Sequence, residues 1–124
     1  MNETKNETNI LTYFQDDSIT NILKFILDEH HIQLIKYDKH IKSKISNIKV
    51  IILDNDIDEA EKNAFYEFIE SYHPKTPILL TIGSNYKKAF QTVYSNNILG
   101  MIYKPFDVEE VIAILKEDLN LIHA

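Results

Sequence analysis

Apolar residues along the chain alternate between continuous runs and helical spacing. Continuous runs rich in β-branched and aromatic residues predict strands, and they occupy residues 10–14, 32–37, 50–53, 77–82 and 99–103. Apolar residues spaced three and four apart predict amphipathic helices, and these patterns occupy residues 19–27, 41–45, 60–72, 89–94 and 111–119. Asp107, followed three residues later by Glu110, has the spacing of a capping box at the start of the last helix. Strand and helix therefore alternate five times.

This alternation predicts a fold of the α/β class. Continuously apolar strands are typical of a parallel sheet that helices cover on both faces. We expect a doubly wound, five-stranded parallel sheet of strand order 2-1-3-4-5. Residues 1–8 are polar after Met1 and are expected to be a disordered tail, with residues 9–124 forming one domain.

Polar side chains follow the predicted strands, and in a parallel sheet these positions meet at one edge. A carboxylate there can attack phosphorus, a hydroxyl can donate to a phosphoryl oxygen, and an ammonium group can neutralise its charge. Acidic oxygens are also the ligands that Mg²⁺ prefers. Taken singly, each residue fits a cap, a turn or a surface charge, but their joint placement favours a phosphoryl-binding site. The residues are Gln15, Asp16 and Asp17 after the first strand, Asp54 after the third, Thr81 in the fourth and Lys104 after the fifth.

Over residues 9–121 the sequence resembles the receiver domains of two-component response regulators. The resemblance rests on residues 50–54, residues 77–81, and Lys104-Pro105-Phe106 followed by an amphipathic helix. It implies the flavodoxin-like (βα)5 fold, with Asp54 accepting a phosphoryl group, Thr81 donating a hydrogen bond to it and Lys104 pairing with it. It also implies a cis Lys104-Pro105 bond, which proline makes accessible.

The resemblance further implies a Mg²⁺ site, but the sequence departs from the usual ligands. Receivers usually end the first strand with two adjacent acids, whereas here Phe14 and Gln15 stand at those positions and Asp16 follows one residue late. We expect a weakened Mg²⁺ site formed by Asp16, the Asp54 carboxylate and the backbone carbonyl of Asp56, with Gln15 as a weak neutral ligand. In an alternative alignment, Asp16 and Asp17 replace the acid pair.

Composition narrows the possible partners. All 13 basic residues are lysine and the net charge is −6, which disfavours direct nucleic-acid binding. Without cysteine, disulfides and thiolate zinc sites are excluded. No apolar run approaches the roughly 18 residues of a membrane span and no signal peptide is evident, so we expect a cytoplasmic protein without membrane contact. Charge is also segregated, because residues 36–49 hold five lysines and one acid whereas residues 54–70 hold seven acids and one lysine.

Two functions are consistent with this pattern. The first is a stand-alone receiver that is not an enzyme and takes a phosphoryl group from a histidine kinase or phosphotransfer protein. It would signal to a downstream protein, or form a homodimer, through the face made by the fourth helix, fifth strand and last helix. Apolar or aromatic residues mark this face, and Met101 stands at the family's switch aromatic position. The alternative is a pseudo-receiver that binds proteins without phosphorylation. A nucleotide or flavin binder is disfavoured because a glycine-rich phosphate loop is missing. The residues marking the face are Tyr94, Ile98, Met101 and Tyr103.

Overall fold

One parallel sheet organises the chain. The computed structural model describes residues 8–41, 43–83 and 98–121, and its strands follow the order β2-β1-β3-β4-β5 with every neighbouring pair parallel. The predicted fold class and strand order are confirmed. β1 begins at Thr8, the last residue of the predicted tail; residues 1–7 lie outside the described residues. The strands are β1 (Thr8–Tyr13), β2 (Ile32–Lys36), β3 (Ile48–Asp54), β4 (Ile78–Ile82) and β5 (Ile98–Tyr103).

Helices cover both faces of this sheet because strand side chains alternate between the faces. α1 (Asp17–Asp28) and α3 (Val108–Ala113) pack against one buried cluster, which includes Ile10, Ile52 and Leu79. α2 (Glu59–Tyr72) packs against the other, which includes Leu11, Leu53 and Leu80. The sheet thus has a buried core on each of its two faces.

The segment between β2 and β3 differs from the prediction. Residues 37–41 and 43–47, where a second helix was expected, form turns and irregular backbone. The Asp38 carboxylate accepts a hydrogen bond from the His40 backbone N–H at 2.8 Å, a local bond that competes with a helix. Ile41 and Ile45 are still partly buried against the α2 side of the sheet. Their spacing therefore comes from packing against the sheet and not from a helix. The fourth predicted helix, residues 89–94, lies outside the described residues.

The last helix begins as the capping box predicts. The Asp107 backbone N–H donates to Glu110 Oε1 at 3.0 Å. The helix is α-helical over Val108–Ala113 and continues as a π-helical turn over Ile114–Asp118. Its buried residues, Val111 and Leu115, lie within the helical pattern predicted over residues 111–119. None of the helices in residues 8–41, 43–83 and 98–121 is long and apolar enough to cross a membrane.

A row of aromatic rings runs along the interface between α2 and the sheet. Tyr37 packs against Tyr13 and Phe65, with ring centroids 5.0 and 4.6 Å apart. Phe68 continues the row to Tyr72, at 5.2 Å, and to His73, at 5.6 Å. The row joins the carboxyl end of β1, where Tyr13 lies, to the loop that precedes β4. We call Tyr13, Tyr37, Phe65, Phe68, Tyr72 and His73 the aromatic row.

Candidate functional site

Asp54 ends β3 as a buried carboxylate. Val50 to Leu53 before it are completely buried, and Asp54 itself is only 1% exposed. Burial of a carboxylate is costly unless hydrogen bonds or a counter-charge compensate. Backbone N–H groups of Gln15 and Asp56 donate to its two oxygens at 3.1 and 3.0 Å, and Lys104 Nζ lies 2.8 Å from Oδ1. The β3 terminus therefore presents a carboxylate that is held in place on several sides.

Lys104 reaches this carboxylate from the end of β5. Its backbone N–H donates to the Ile82 carbonyl at 2.8 Å, and the predicted cis Lys104-Pro105 bond follows. Lys104 Nζ contacts the Asp54 and Asp56 carboxylates at 2.8 and 3.1 Å. Partial burial alone would lower the pKa of Lys104, but hydrogen bonds to the two carboxylates and their negative charges outweigh burial and raise it. The ammonium group is therefore held firmly in its charged form.

Thr81 lies beside Asp54 on the neighbouring strand. The two residues are partners in the β3–β4 register, and the Asn55 backbone N–H donates to the Thr81 carbonyl at 2.8 Å. Thr81 is completely buried, and its Oγ1 has no hydrogen-bond partner among the described residues. A buried hydroxyl without a partner carries an energetic cost. The Thr81 hydroxyl therefore stands beside Asp54 with its hydrogen-bonding capacity unused among the described residues.

The acids after β1 make other contacts. Asp16 is exposed and caps α1, where its carboxylate accepts from the Ser18 backbone N–H at 2.9 Å. Hydrogen bonds from Ser18 and, more weakly, the charge of Lys104 lower the pKa of Asp16. Asp17, offered by the alternative alignment, pairs with Lys36 at 2.7 Å. Phe14 is buried in the core on the α1 side, and Gln15 is exposed and contributes its backbone N–H to the site.

The donor atoms near Asp54 are of the kind that Mg²⁺ takes, but they are already engaged. The Asp54 carboxylate is bonded to Lys104, and the Asp16 carboxylate caps α1. Residues 8–41, 43–83 and 98–121 contain no group of three or more His, Cys, Asp or Glu side chains placed to hold a metal. The weakened Mg²⁺ site expected from the sequence stays a prediction.

Two parts of the site were missed from the sequence. Only the backbone carbonyl of Asp56 was predicted to act, yet its side chain pairs with Lys104. Gly83, two residues after Thr81, makes room for that side chain, because a Cβ at Gly83 would collide with the Asp56 carboxylate. Nothing in the sequence indicated the contact between Asp56 and Gly83, which lie in loops after two different strands.

A buried lysine holds the loop after Asp54. Lys62 on α2 is 2% exposed, and its Nζ donates to the Asn55 carbonyl at 3.0 Å and to Asn55 Oδ1 at 3.1 Å. Glu59 Oε1 lies 3.8 Å from the same Nζ. The sequence did contain a signal for the burial of this lysine. Lys62 stands three residues before Phe65 and seven before Ile69, on the apolar stripe of α2.

Comparison with known proteins gives a clear result for the fold. A receiver domain protein from Methanospirillum hungatei JF-1 is 17% identical, with a TM-score of 0.68, covering 92% of this chain and 94% of its own. The signal receiver domain of an HD domain-containing protein from Pseudomonas fluorescens Pf-5 is 17% identical, with a TM-score of 0.67 and coverages of 92% and 95%. A structure described as adenylate cyclase from Rhodopirellula baltica is 16% identical, with a TM-score of 0.65 and coverages of 93% and 89%. No protein-family model matches the chain, and no curated protein matches it.

The protein therefore has an α/β fold of the doubly wound parallel class. Within that class, its fold is that of response-regulator receiver domains, as the resemblance in the sequence implied.

Proposed function

We propose that the chain is a receiver domain that accepts a phosphoryl group on Asp54. The observation that carries this proposal is the arrangement around Asp54: a buried carboxylate, the Lys104 ammonium group at 2.8 Å, and the neighbouring Thr81 hydroxyl without a partner in the described residues. The receiver fold supports a role in signal reception. As an acceptor that passes a signal on, the chain acts as a signalling module and not as an enzyme, and we expect it to work in the cytoplasm.

The proposed chemistry uses each of these side chains once. An Asp54 oxygen attacks the phosphorus of a phosphohistidine on a kinase or phosphotransfer protein. The new O–P bond forms as the P–N bond breaks, and the electron pair returns to the imidazole, which takes up a proton. Lys104 neutralises charge on the phosphoryl oxygens, and Thr81 donates its hydroxyl hydrogen to one of them.

We propose that the site binds Mg²⁺ weakly. Asp54, the Asp56 carbonyl and Asp16 would hold it, with Gln15 as a neutral ligand, and when bound it would neutralise charge on the transferring group. Gln15 offers an amide oxygen where receivers usually have a carboxylate. Losing one charged ligand is worth about 1 kcal/mol or more, or severalfold to tenfold in metal affinity.

The test is phosphoryl uptake from acetyl phosphate with Mg²⁺, measured as a gain of one phosphoryl group in the intact mass. We expect uptake by the wild-type protein and by Asp38→Asn, in which an exposed aspartate is changed, but none by Asp54→Asn. A beryllofluoride complex, observed in the amide spectrum, would give an independent readout at Thr81.

The pseudo-receiver alternative also has an observation in its favour. Lys104 bridges Asp54 and Asp56, so its ammonium group already offsets part of the negative charge of the site, and Asp16 is occupied at the start of α1. If the wild-type protein takes up no phosphoryl group at saturating Mg²⁺, and Gln15→Asp does not restore uptake, the pseudo-receiver replaces the phosphorylated receiver as the proposed function.

We further propose that the face including β5 and α3 contacts a downstream protein or a second copy. Tyr103 and Leu99 on β5 are 53% and 38% exposed, whereas Met101 and Ile98 pack partly against the core. Exposed aromatic and aliphatic residues on one surface favour an interface. Tyr94 and the fourth helix lie outside the described residues. Tyr103→Glu should weaken association in sedimentation experiments, with Phe25→Glu on α1 as a matched control; equal effects would contradict the proposal.

A further inference from the structure

A cleft opens at the edge of the sheet opposite Asp54. It lies between the segment that leads into β3 and the segment that joins α2 to β4, and its volume is about 350 Å³. Small-molecule sites in proteins span about 300 to 1,000 Å³, so the cleft is large enough for a small organic ligand. The lining of the cleft includes Lys44, Asn47, Tyr72, His73, Lys75 and Thr76.

The lining of the cleft is positively charged. Lys44 comes from one wall and Lys75 from the other, and among the residues that the structure describes, neither Asp nor Glu lines the cleft. Lys44 also belongs to the lysine-rich segment 36–49, which carries five lysines against one acid although the whole chain has a net charge of −6. A concave surface with one sign of charge concentrates ligands of the opposite sign. The cleft is therefore suited to an anion.

His73 connects the two walls by a hydrogen bond and is affected by the charge of Lys44. It is 4% exposed, and its Nε2 accepts a hydrogen bond from the Ile45 backbone N–H at 3.4 Å. Burial, followed by the charge of Lys44, lowers the pKa of His73. An anion in the cleft would offset the charge of Lys44 and raise this pKa toward its ordinary value. We therefore expect the pKa of His73 to rise when an anion occupies the cleft.

The remaining lining can recognise the body of a ligand. Tyr72 is 37% exposed and supplies an aromatic ring at the end of α2. Asn47 and Thr76 add polar side chains on the two walls. We propose that this cleft binds a small phosphate monoester, with Lys44 and Lys75 neutralising the phosphate dianion and Tyr72 contacting an aromatic or apolar body. The proposal does not depend on phosphorylation of Asp54, which lies at the other edge of the sheet.

The test is a titration of the ¹⁵N-labelled protein with phenyl phosphate and, separately, with inorganic phosphate at constant ionic strength. We expect saturable shifts of the Asn47 and Thr76 amides, a raised His73 pKa, and tighter binding of phenyl phosphate because its ring reaches Tyr72. Benzoate, which has the ring but a single charge, should bind severalfold more weakly than phenyl phosphate.

Two charge-matched variants decide the matter. Lys44→Gln/Lys75→Gln should weaken phenyl phosphate binding at least tenfold. Lys24→Gln/Lys116→Gln, which removes the same charge from exposed positions on α1 and after α3, should leave it unchanged. Equal affinity in the two variants would overturn the proposal, as would linear shifts without saturation or shifts confined to residues around Lys104.

Discussion

Replacing Lys62 with methionine tests how strongly the buried ammonium group stabilises the loop after Asp54. The change keeps the length of the side chain but leaves the Asn55 carbonyl and Oδ1, now 3.0 and 3.1 Å from Nζ, without this donor. Each buried acceptor left unsatisfied costs about 1–3 kcal/mol. Part of that cost is offset because the ammonium group no longer has to be desolvated. We expect the free energy of unfolding to fall by about 2 kcal/mol.

Urea unfolding followed by far-ultraviolet circular dichroism measures this loss. With a slope of roughly 1–3 kcal/mol per molar urea, the midpoint should fall by about 1 M and the slope should not change. Lys116→Met, at an exposed lysine, should stay within about 0.5 kcal/mol of the wild type. A double-mutant cycle with Asn55→Ala should give a coupling energy of about 0.5–3 kcal/mol. If Lys62→Met is as stable as the wild type, the hydrogen bonds to Asn55 contribute nothing net and the reasoning is refuted.

Three further predictions concern the two ends of the sheet. Gln15→Asp should tighten Mg²⁺ severalfold to tenfold in a metal titration, and an unchanged affinity would show that this position does not reach the ion. Gly83→Ala should displace the Asp56 carboxylate from Lys104 and cost about 1 kcal/mol or less, since both partners are partly exposed. The double variant Gly83→Ala/Asp56→Asn should be no less stable in urea than the less stable of the two single variants. The lowered pKa of His73 means that its contribution to stability is present above its ordinary value of 6.5 and is lost as the pH falls through the folded value. His73→Gln should therefore flatten the acid side of the stability profile, and an unchanged profile would contradict this.

The sequence predicted the sheet because continuously apolar strands have to be buried on both faces. Residues 50–53 are fully buried as their pattern indicates, and a run ending at Asp54 necessarily places that carboxylate at the strand terminus. The expected short helix between β2 and β3 was wrong for a physical reason. Ile41 and Ile45 can reach the core from a chain of turns as well as from a helix. The Asp38 side chain, which accepts a local hydrogen bond, favours the turns.

The side-chain contacts of the site were harder to predict. That Asp56 meets Lys104 depends on the relative placement of loops after β3 and β5, about 50 residues apart, which local patterns do not encode. Lys62 was hidden for another reason: a lysine on an apolar stripe is usually assigned to the solvent face. The cap role of Asp16 was also missed, because the apolar pattern that begins at residue 19 does not show that α1 starts at Asp17.

The aromatic row gives the protein an optical signal from one interface. The chain has seven tyrosines and lacks tryptophan, and Tyr13, Tyr37 and Tyr72 lie in the row, packed against phenylalanine rings. Fixed asymmetric packing of this kind produces near-ultraviolet circular dichroism, whereas the helices and strands produce the far-ultraviolet signal. Detachment of α2 from the sheet would therefore erase much of the tyrosine spectrum while the backbone spectrum persists. Measuring both bands during unfolding would show whether α2 separates from the sheet before the sheet itself is lost.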